Sequence, residues 1–205
     1  MPPLLMSELP HPDKEIGKPG RKLPHWQPGE VMQFVTFRLA DSLPHIKLRK
    51  WKEERDTWLT LHPKPWTPAK EKEYHQRFTK AFENWLDEGS GSCLFKYPEN
   101  RLHLEQTLMH DQGTAAYHHA WVIMPNHVHL LFTAIAPLDQ LMKSWKGISS
   151  RKIGIGSIWQ KNYRDTMIRD IDHFINAVRY IRRNPLNLVP GTHTLWQSER
   201  ALGIQ

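Results

Sequence analysis

Residues 115–133 read AAYHHAWVIMPNHVHLLFT, and the pattern inside this stretch decides the fold. Two apolar runs rich in β-forming residues, Ala115–Met124 and His127–Thr133, flank Pro125-Asn126, a dipeptide with turn chemistry. Two such runs with a two-residue break predict an antiparallel hairpin. Strand side chains alternate with period two, so His127 and His129 share one face while Val128 and Leu130 take the core side. Two neutral imidazoles side by side on a rigid strand are a start for a divalent-cation site, with further oxygen donors to come from elsewhere. An exposed polar pair with no ligand is the ordinary alternative. His118-His119 earns no such reading: adjacent residues point to opposite faces, so these rings are expected to be structural.

Outward from the hairpin, Val31–Leu39 (VMQFVTFRL) reads as a strand. Ser42 to Leu61 reads as a helix, with Ser42 as N-cap and Pro44 in the first turn. Thr67 caps a second helix, Pro68 to Glu88, whose Tyr74, Phe78, Phe82 and Trp85 form a packing stripe. Asn100–His110 and Leu138–Ser149 are helices, the latter with Leu138, Leu141, Met142 and Trp145 on one side. Tyr163–Ile168 is a short strand. Asp170 caps a last helix that runs to about Arg183 and is ended by Pro185. This order predicts an α+β fold, a small antiparallel sheet with flanking helices. At roughly 100–200 residues per domain, the 205-residue chain is one domain, expected over residues 31–190. Residues 41–110 are read as a helical insertion within it. Residues 1–30 hold seven prolines and are read as a flexible arm, and residues 191–205 as a tail.

Composition excludes several classes. No run of about 18 apolar residues is present, which rules out a membrane-spanning helix. Residues 1–22 lack the apolar core of a secretory signal. The lone Cys93 can make neither an internal disulfide nor a Cys-based zinc knuckle, which fits a reducing cytoplasm. The net charge of +7 is placed unevenly. Residues 1–140 carry 17 Lys+Arg and 17 Asp+Glu, and residues 141–205 carry 11 and 4. A one-sided basic field points to a polyanion, nucleic acid before a membrane surface. Lys143, Lys146, Arg151, Lys152, Lys161, Arg164, Arg169, Arg179 and Arg183 are the candidate nucleic-acid contacts.

The last helix carries the other chemical signal. At about 100° per residue, Ile171, Phe174, Ile175, Val178 and Ile181 form its core stripe, and Tyr180 falls nearly opposite. Asn184 lies one turn beyond Tyr180 on the same side. A phenol beside an amide oxygen, flanked by Arg179, Arg182 and Arg183, suits a phosphate. A surface tyrosine laid over a neighbour is the competing reading.

Three boxes in order now match a known pattern. WVIMPNHVHLLF (121–132) resembles the histidine–hydrophobic–histidine signature of the HUH endonucleases, in the version carried by bacterial REP-associated tyrosine transposases. IWQKNYRDTMIR (158–169) is similar to that family's Trp-Gln segment, and YIRRNP (180–185) to its tyrosine box. The resemblance covers about residues 115–190 and the strand at 31–39. Thr166 departs from it, standing where many members have His, and residues 41–110 are longer than in compact members. The resemblance implies a ferredoxin-like HUH sandwich with His127, His129 and Asn184 holding Mg²⁺ or Mn²⁺ and Tyr180 as nucleophile. It implies a metal-dependent endonuclease and transposase that cuts and rejoins single-stranded, hairpin-forming DNA through a 5′-phosphotyrosine. Asn184 acting only as a helix cap is the alternative for that residue. Two other functions stay open, a domesticated DNA-binding protein of the same fold without useful cutting and a metal hydrolase that uses water. Monomer and homodimer both fit the sequence.

Overall fold

The computed structural model describes residues 31–205; the expected N-terminal arm, residues 1–30, lies outside the described residues. Among the described residues, five antiparallel strands form the sheet: β1 (Met32–Arg38), β2 (Ala116–Ile123), β3 (His127–Ala134), β4 (Arg164–Met167) and β5 (Thr194–Gln197). Their order is β4-β1-β3-β2-β5. The first four follow the β-α-β-β-α-β pattern of ferredoxin-like folds, with β5 added at the β2 edge. The expected hairpin is present as β2–β3, closed where the Met124 N–H donates to the His127 carbonyl at 2.8 Å.

Helices cover both sheet faces. Helices α4 (Pro98–His110) and α5 (Leu138–Ile153) lie on the face that carries Val35, Phe37, Val128, Leu130 and Phe132. Trp145 of α5 is fully buried there, and its Nε1 donates to Asp111 at 2.8 Å. Helix α6 (Ile171–Arg183) covers the other face, with Phe174, Val178 and Ile181 against Met32, Val122 and Leu131. Each large side chain taken fully out of water on these faces contributes about 1.5–3 kcal/mol before entropy is charged against it. Asp170 caps α6, accepting from the His173 N–H at 2.7 Å.

Several boundaries differ from the sequence reading, each for a local reason. Ser42 does not cap α1 (His45–Leu61). Pro44 holds that position, and the buried Ser42 hydroxyl donates to the Leu39 carbonyl and accepts from Arg38. The helix read as Pro68 to Glu88 is α2 (Pro68–Tyr74) and α3 (Lys80–Asp87) joined through a π-turn at His75–Thr79. Helix α4 falls inside the segment read as an insertion, yet Leu104 and Leu108 are core residues, so α1 to α3 are the part outside the sandwich. The segment read as a tail is part of the fold. Strand β5 pairs with β2, and α7 (Glu199–Leu202) buries Ala201, with Ile204 beyond it, against the α6 face. Ile171 starts the apolar stripe of α6 but is 46% exposed, whereas Phe174, three residues on, is buried. No helix among the described residues is long and apolar enough to cross a membrane.

Candidate active site

His127 and His129 open β3, and both rings lie on the α6 face, as the alternation required. Register places Thr36 of β1 directly across from His129. Neither ring is a solvated surface group; both are buried. Burial pushes the pKa of His127 down to about 3 and that of His129 well below the usual imidazole value, so both rings are neutral at pH 7.

The partners of the rings determine which nitrogen is available. Asn126 Nδ2 donates to the carbonyls of Leu86 and Ser90 at 3.0 and 3.1 Å, which turns its Oδ1 toward His127. His127 Nδ1–H therefore donates to that oxygen at 2.8 Å, which leaves its Nε2 unprotonated with a lone pair turned toward His129. His129 Nδ1 meets the Thr36 hydroxyl at 2.7 Å, and this hydroxyl can accept the ring proton. The two Nε2 atoms face each other at 3.1 Å. Two nitrogen ligands at ~2.1 Å from one ion and at right angles to each other lie ~3.0 Å apart. The pair thus fits a divalent cation, with the outer nitrogens held as metal-binding histidines usually are. Among the described residues no cluster of three or more His, Cys, Asp and Glu is arranged to hold a metal, so the pair needs donors of another kind or from further away.

Tyr180 meets this pair. Its ring packs edge-on against His129 with centroids 5.1 Å apart, and against Phe34 at 5.7 Å. It is half-buried, turned away from the core stripe of α6 and toward the histidines. Burial, then the nearby carboxylates of Glu83 and Asp87, raise its pKa; a hydrogen bond from Asn184 and the charge of Arg164 oppose them. Asn184 does hold the C-cap position of α6, its backbone N–H donating to the Tyr180 carbonyl, but with right-handed helical angles instead of the left-handed ones common for asparagine there, and the chain runs on into a short 3₁₀ turn. The Asn184 Oδ1 is buried and has no hydrogen-bond partner among the described residues, which leaves a neutral oxygen donor beside the phenol.

The competing tyrosine is elsewhere. Tyr163 packs with the α5-side core and lies under the Lys146 ammonium, 5.4 Å from its ring centroid. His118 and His119 are structural, as expected. His118 bonds the Leu108 carbonyl on the α5 side, and His119 bonds Thr133 and meets Phe174 on the α6 side.

The basic residues do not form one patch. Lys143, Lys146, Arg151 and Lys161 line a cavity of about 680 Å³ with Trp159 and Tyr163, on the sheet face opposite the histidines. Lys146 is a staple within that wall, bonded to the carbonyls of Gln160, Lys161 and Asn162. Arg179 is spent on the Gln205 carbonyl. Lys152, Arg169 and Arg183 are exposed. Of the nine, only Arg164 acts electrostatically on both His129 and Tyr180, and it also pairs with Glu83 at 3.1 Å.

Four site residues were not singled out from the sequence: Thr36, Glu83, Asp87 and Asn126. Asn126 had a signal, its place directly before the histidine pair. Thr36 needed the strand register, and the two acids needed the path of α3.

No family model matches the chain. Over 70 residues, 33% of the chain, it is 30% identical to the REP-associated tyrosine transposase of Escherichia coli (strain K12). That match takes in 42% of the length of the curated relative. A solved structure of a REP-associated tyrosine transposase bound to a REP hairpin aligns over 82% of this chain and 73% of that one, with a TM-score of 0.47 and 16% identity. The chain is distantly similar to the REP-associated tyrosine transposases, in sequence over a third of its length.

Proposed function

We propose that this protein is a divalent-cation-dependent single-strand DNA endonuclease and transposase. It cleaves and rejoins hairpin-forming DNA through a 5′-phosphotyrosine on Tyr180. The observation that carries this reading is the packing of the Tyr180 ring against His129, beside two imidazole Nε2 atoms 3.1 Å apart. The distant similarity to REP-associated tyrosine transposases supports the choice of chemistry and substrate.

His127, His129 and Asn184 would hold Mg²⁺ or Mn²⁺, which when bound supplies Lewis-acid polarisation of a non-bridging phosphate oxygen. Asn126 and Thr36 fix the two imidazoles so that their Nε2 atoms converge. Phe34 and His129 hold the Tyr180 ring on two sides, which limits the directions from which its oxygen can attack. Tyr180 Oη attacks phosphorus. The new P–O bond is to tyrosine, the bond to the 3′ oxygen breaks, the phenol proton passes to water, and the departing 3′ oxygen takes up a proton. Attack of a 3′-hydroxyl on the phosphotyrosine reverses these changes, so joining needs no nucleotide triphosphate. Arg164 sets positive charge beside the phenol and favours its anionic form. Lys143, Arg151, Lys152, Lys161, Arg169 and Arg183 supply attraction for the strand outside the site.

The test is incubation with a single-stranded hairpin oligonucleotide and Mn²⁺ or Mg²⁺. The expected result is a protein–DNA band that survives denaturing electrophoresis and disappears in Tyr180→Phe. Cleavage that leaves no DNA on the protein would favour water as nucleophile, and binding without cleavage would favour the DNA-binding alternative.

A further inference from the structure

Helix α3 belongs to the part of the chain that stands outside the sandwich, yet its end reaches the histidine pair. Asp87, its last residue, places Oδ1 3.7 Å from His127 Nε2. This separation is too long for a hydrogen bond. It is shorter than the ~4.2 Å that separates two ligands on opposite sides of one ion with ~2.1 Å bonds. Among the described residues no lysine or arginine forms an ion pair with Asp87, whereas its neighbours Glu83 and Glu88 pair with Arg164 and Lys47. The position of the acid is braced. Leu86, next to it, is buried, and its carbonyl accepts from the same Asn126 amide that orients His127. The ring that donates the lone pair and the backbone that carries the carboxylate are thus tied to one side chain. The Asp87 side chain keeps 47% of its surface exposed, which leaves room for a rotamer change toward the imidazoles.

We propose that Asp87 is a carboxylate ligand of the cation held by His127 and His129, delivered to the site by α3. This rests on the cation-dependent reading above and extends it. A carboxylate changes the character of the donor set. Two imidazoles alone suit Zn²⁺ and the late first-row ions before it, and an added carboxylate oxygen shifts preference toward Mn²⁺. It also cancels one of the two positive charges of the ion in a buried place, where unpaired charge is costly. The helices outside the sandwich thereby become part of the site, and the cation ties α3 to β3.

The experiment measures Mn²⁺ and Zn²⁺ binding to the DNA-free protein by calorimetry, with electron paramagnetic resonance for free Mn²⁺. The variants are Asp87→Asn, Asp87→Ser, Glu88→Gln and His127→Ala. Asp87→Asn and Asp87→Ser are expected to weaken Mn²⁺ binding by about tenfold or more and to weaken Zn²⁺ binding less. Glu88→Gln, one residue away with the same loss of charge, should bind Mn²⁺ as the parent does. Thermal melting without metal identifies a variant that has lost its fold, and the two Asp87 substitutions guard against reading such a loss as a lost ligand. Parent-like Mn²⁺ affinity in either folded Asp87 variant, with His127→Ala unable to bind, overturns the Asp87 assignment and leaves the histidine pair intact. Absence of Mn²⁺ binding by the parent overturns both this assignment and the cation-dependent function.

Discussion

Replacing Asn126 with alanine removes one side chain with three jobs. It donates to the carbonyls of Leu86 and Ser90 and accepts from His127 Nδ1–H. Asn126 is buried, so the partners it leaves behind are not all reached by water. A buried polar group left without a partner costs about 1–3 kcal/mol. With the Ser90 contact partly open to solvent, the expected loss of folding stability is about 2–4 kcal/mol. The second effect is on the ring: without its acceptor, His127 is free to move its proton to Nε2, which then cannot bind a cation. Loss of such an outer hydrogen bond typically lowers metal affinity 10–100-fold. Urea unfolding followed by tryptophan fluorescence measures the first effect, and Mn²⁺ calorimetry the second. Asn126→Asp separates them, because it keeps an acceptor for His127 but gives up both donors: stability should fall while metal affinity holds. An alanine variant within about 0.5 kcal/mol of the parent and with unchanged Mn²⁺ affinity would refute the role given to this residue.

Acid should destabilise the fold early. Burial holds His118 at about 4 and His119 at about 3, below the ordinary value of 6.5, so the unfolded chain binds protons that the folded one refuses. Stability is therefore full above about pH 6.5 and falls toward pH 4, by up to ~1.4 kcal/mol per pH unit for each ring, and a flat urea midpoint from pH 7 to 5 would contradict this. Asn184→Ala should lower metal affinity and DNA cleavage together with little change in melting temperature, and excess Mn²⁺ should restore part of the cutting. Lower thermal stability with intact metal-dependent cleavage would return Asn184 to a capping role. Binding of a single-stranded hairpin should weaken with salt, with a slope of log K against log salt of roughly −3 to −4 if four to six phosphates are neutralised; a slope near zero would sink the nucleic-acid reading of the charge.

What could be read from the sequence was what depends on local periodicity. Strand alternation put His127 and His129 on one face, and the helical wheel turned Tyr180 away from Phe174, Val178 and Ile181; both placements hold in the fold. What could not be read depends on contacts distant in sequence. Thr36 becomes a partner of His129 only through a strand register 93 residues apart. Asp87 reaches His127 because α3 folds back to the start of β3, and its own sequence, the end of an amphipathic helix, has no mark of a ligand. Strand β5 was missed because Thr194–Gln197 is four half-buried residues, too short for alternation to show; pairing with β2 makes it a strand. The charge excess was legible as a total but not as a surface, since Lys146 and Arg179 spend their donors on backbone carbonyls inside the protein.

The most direct test of the central claim is to locate the residue that carries the DNA. The protein is reacted with a single-stranded hairpin oligonucleotide and Mn²⁺, the DNA is digested to a nucleotide stub, and the modified peptide is identified by tandem mass spectrometry. The stub is expected on Tyr180. A stub on Tyr163, which lies on the opposite side of the sheet from the histidines, or cut DNA with no modified tyrosine, would contradict the assignment of Tyr180 as nucleophile.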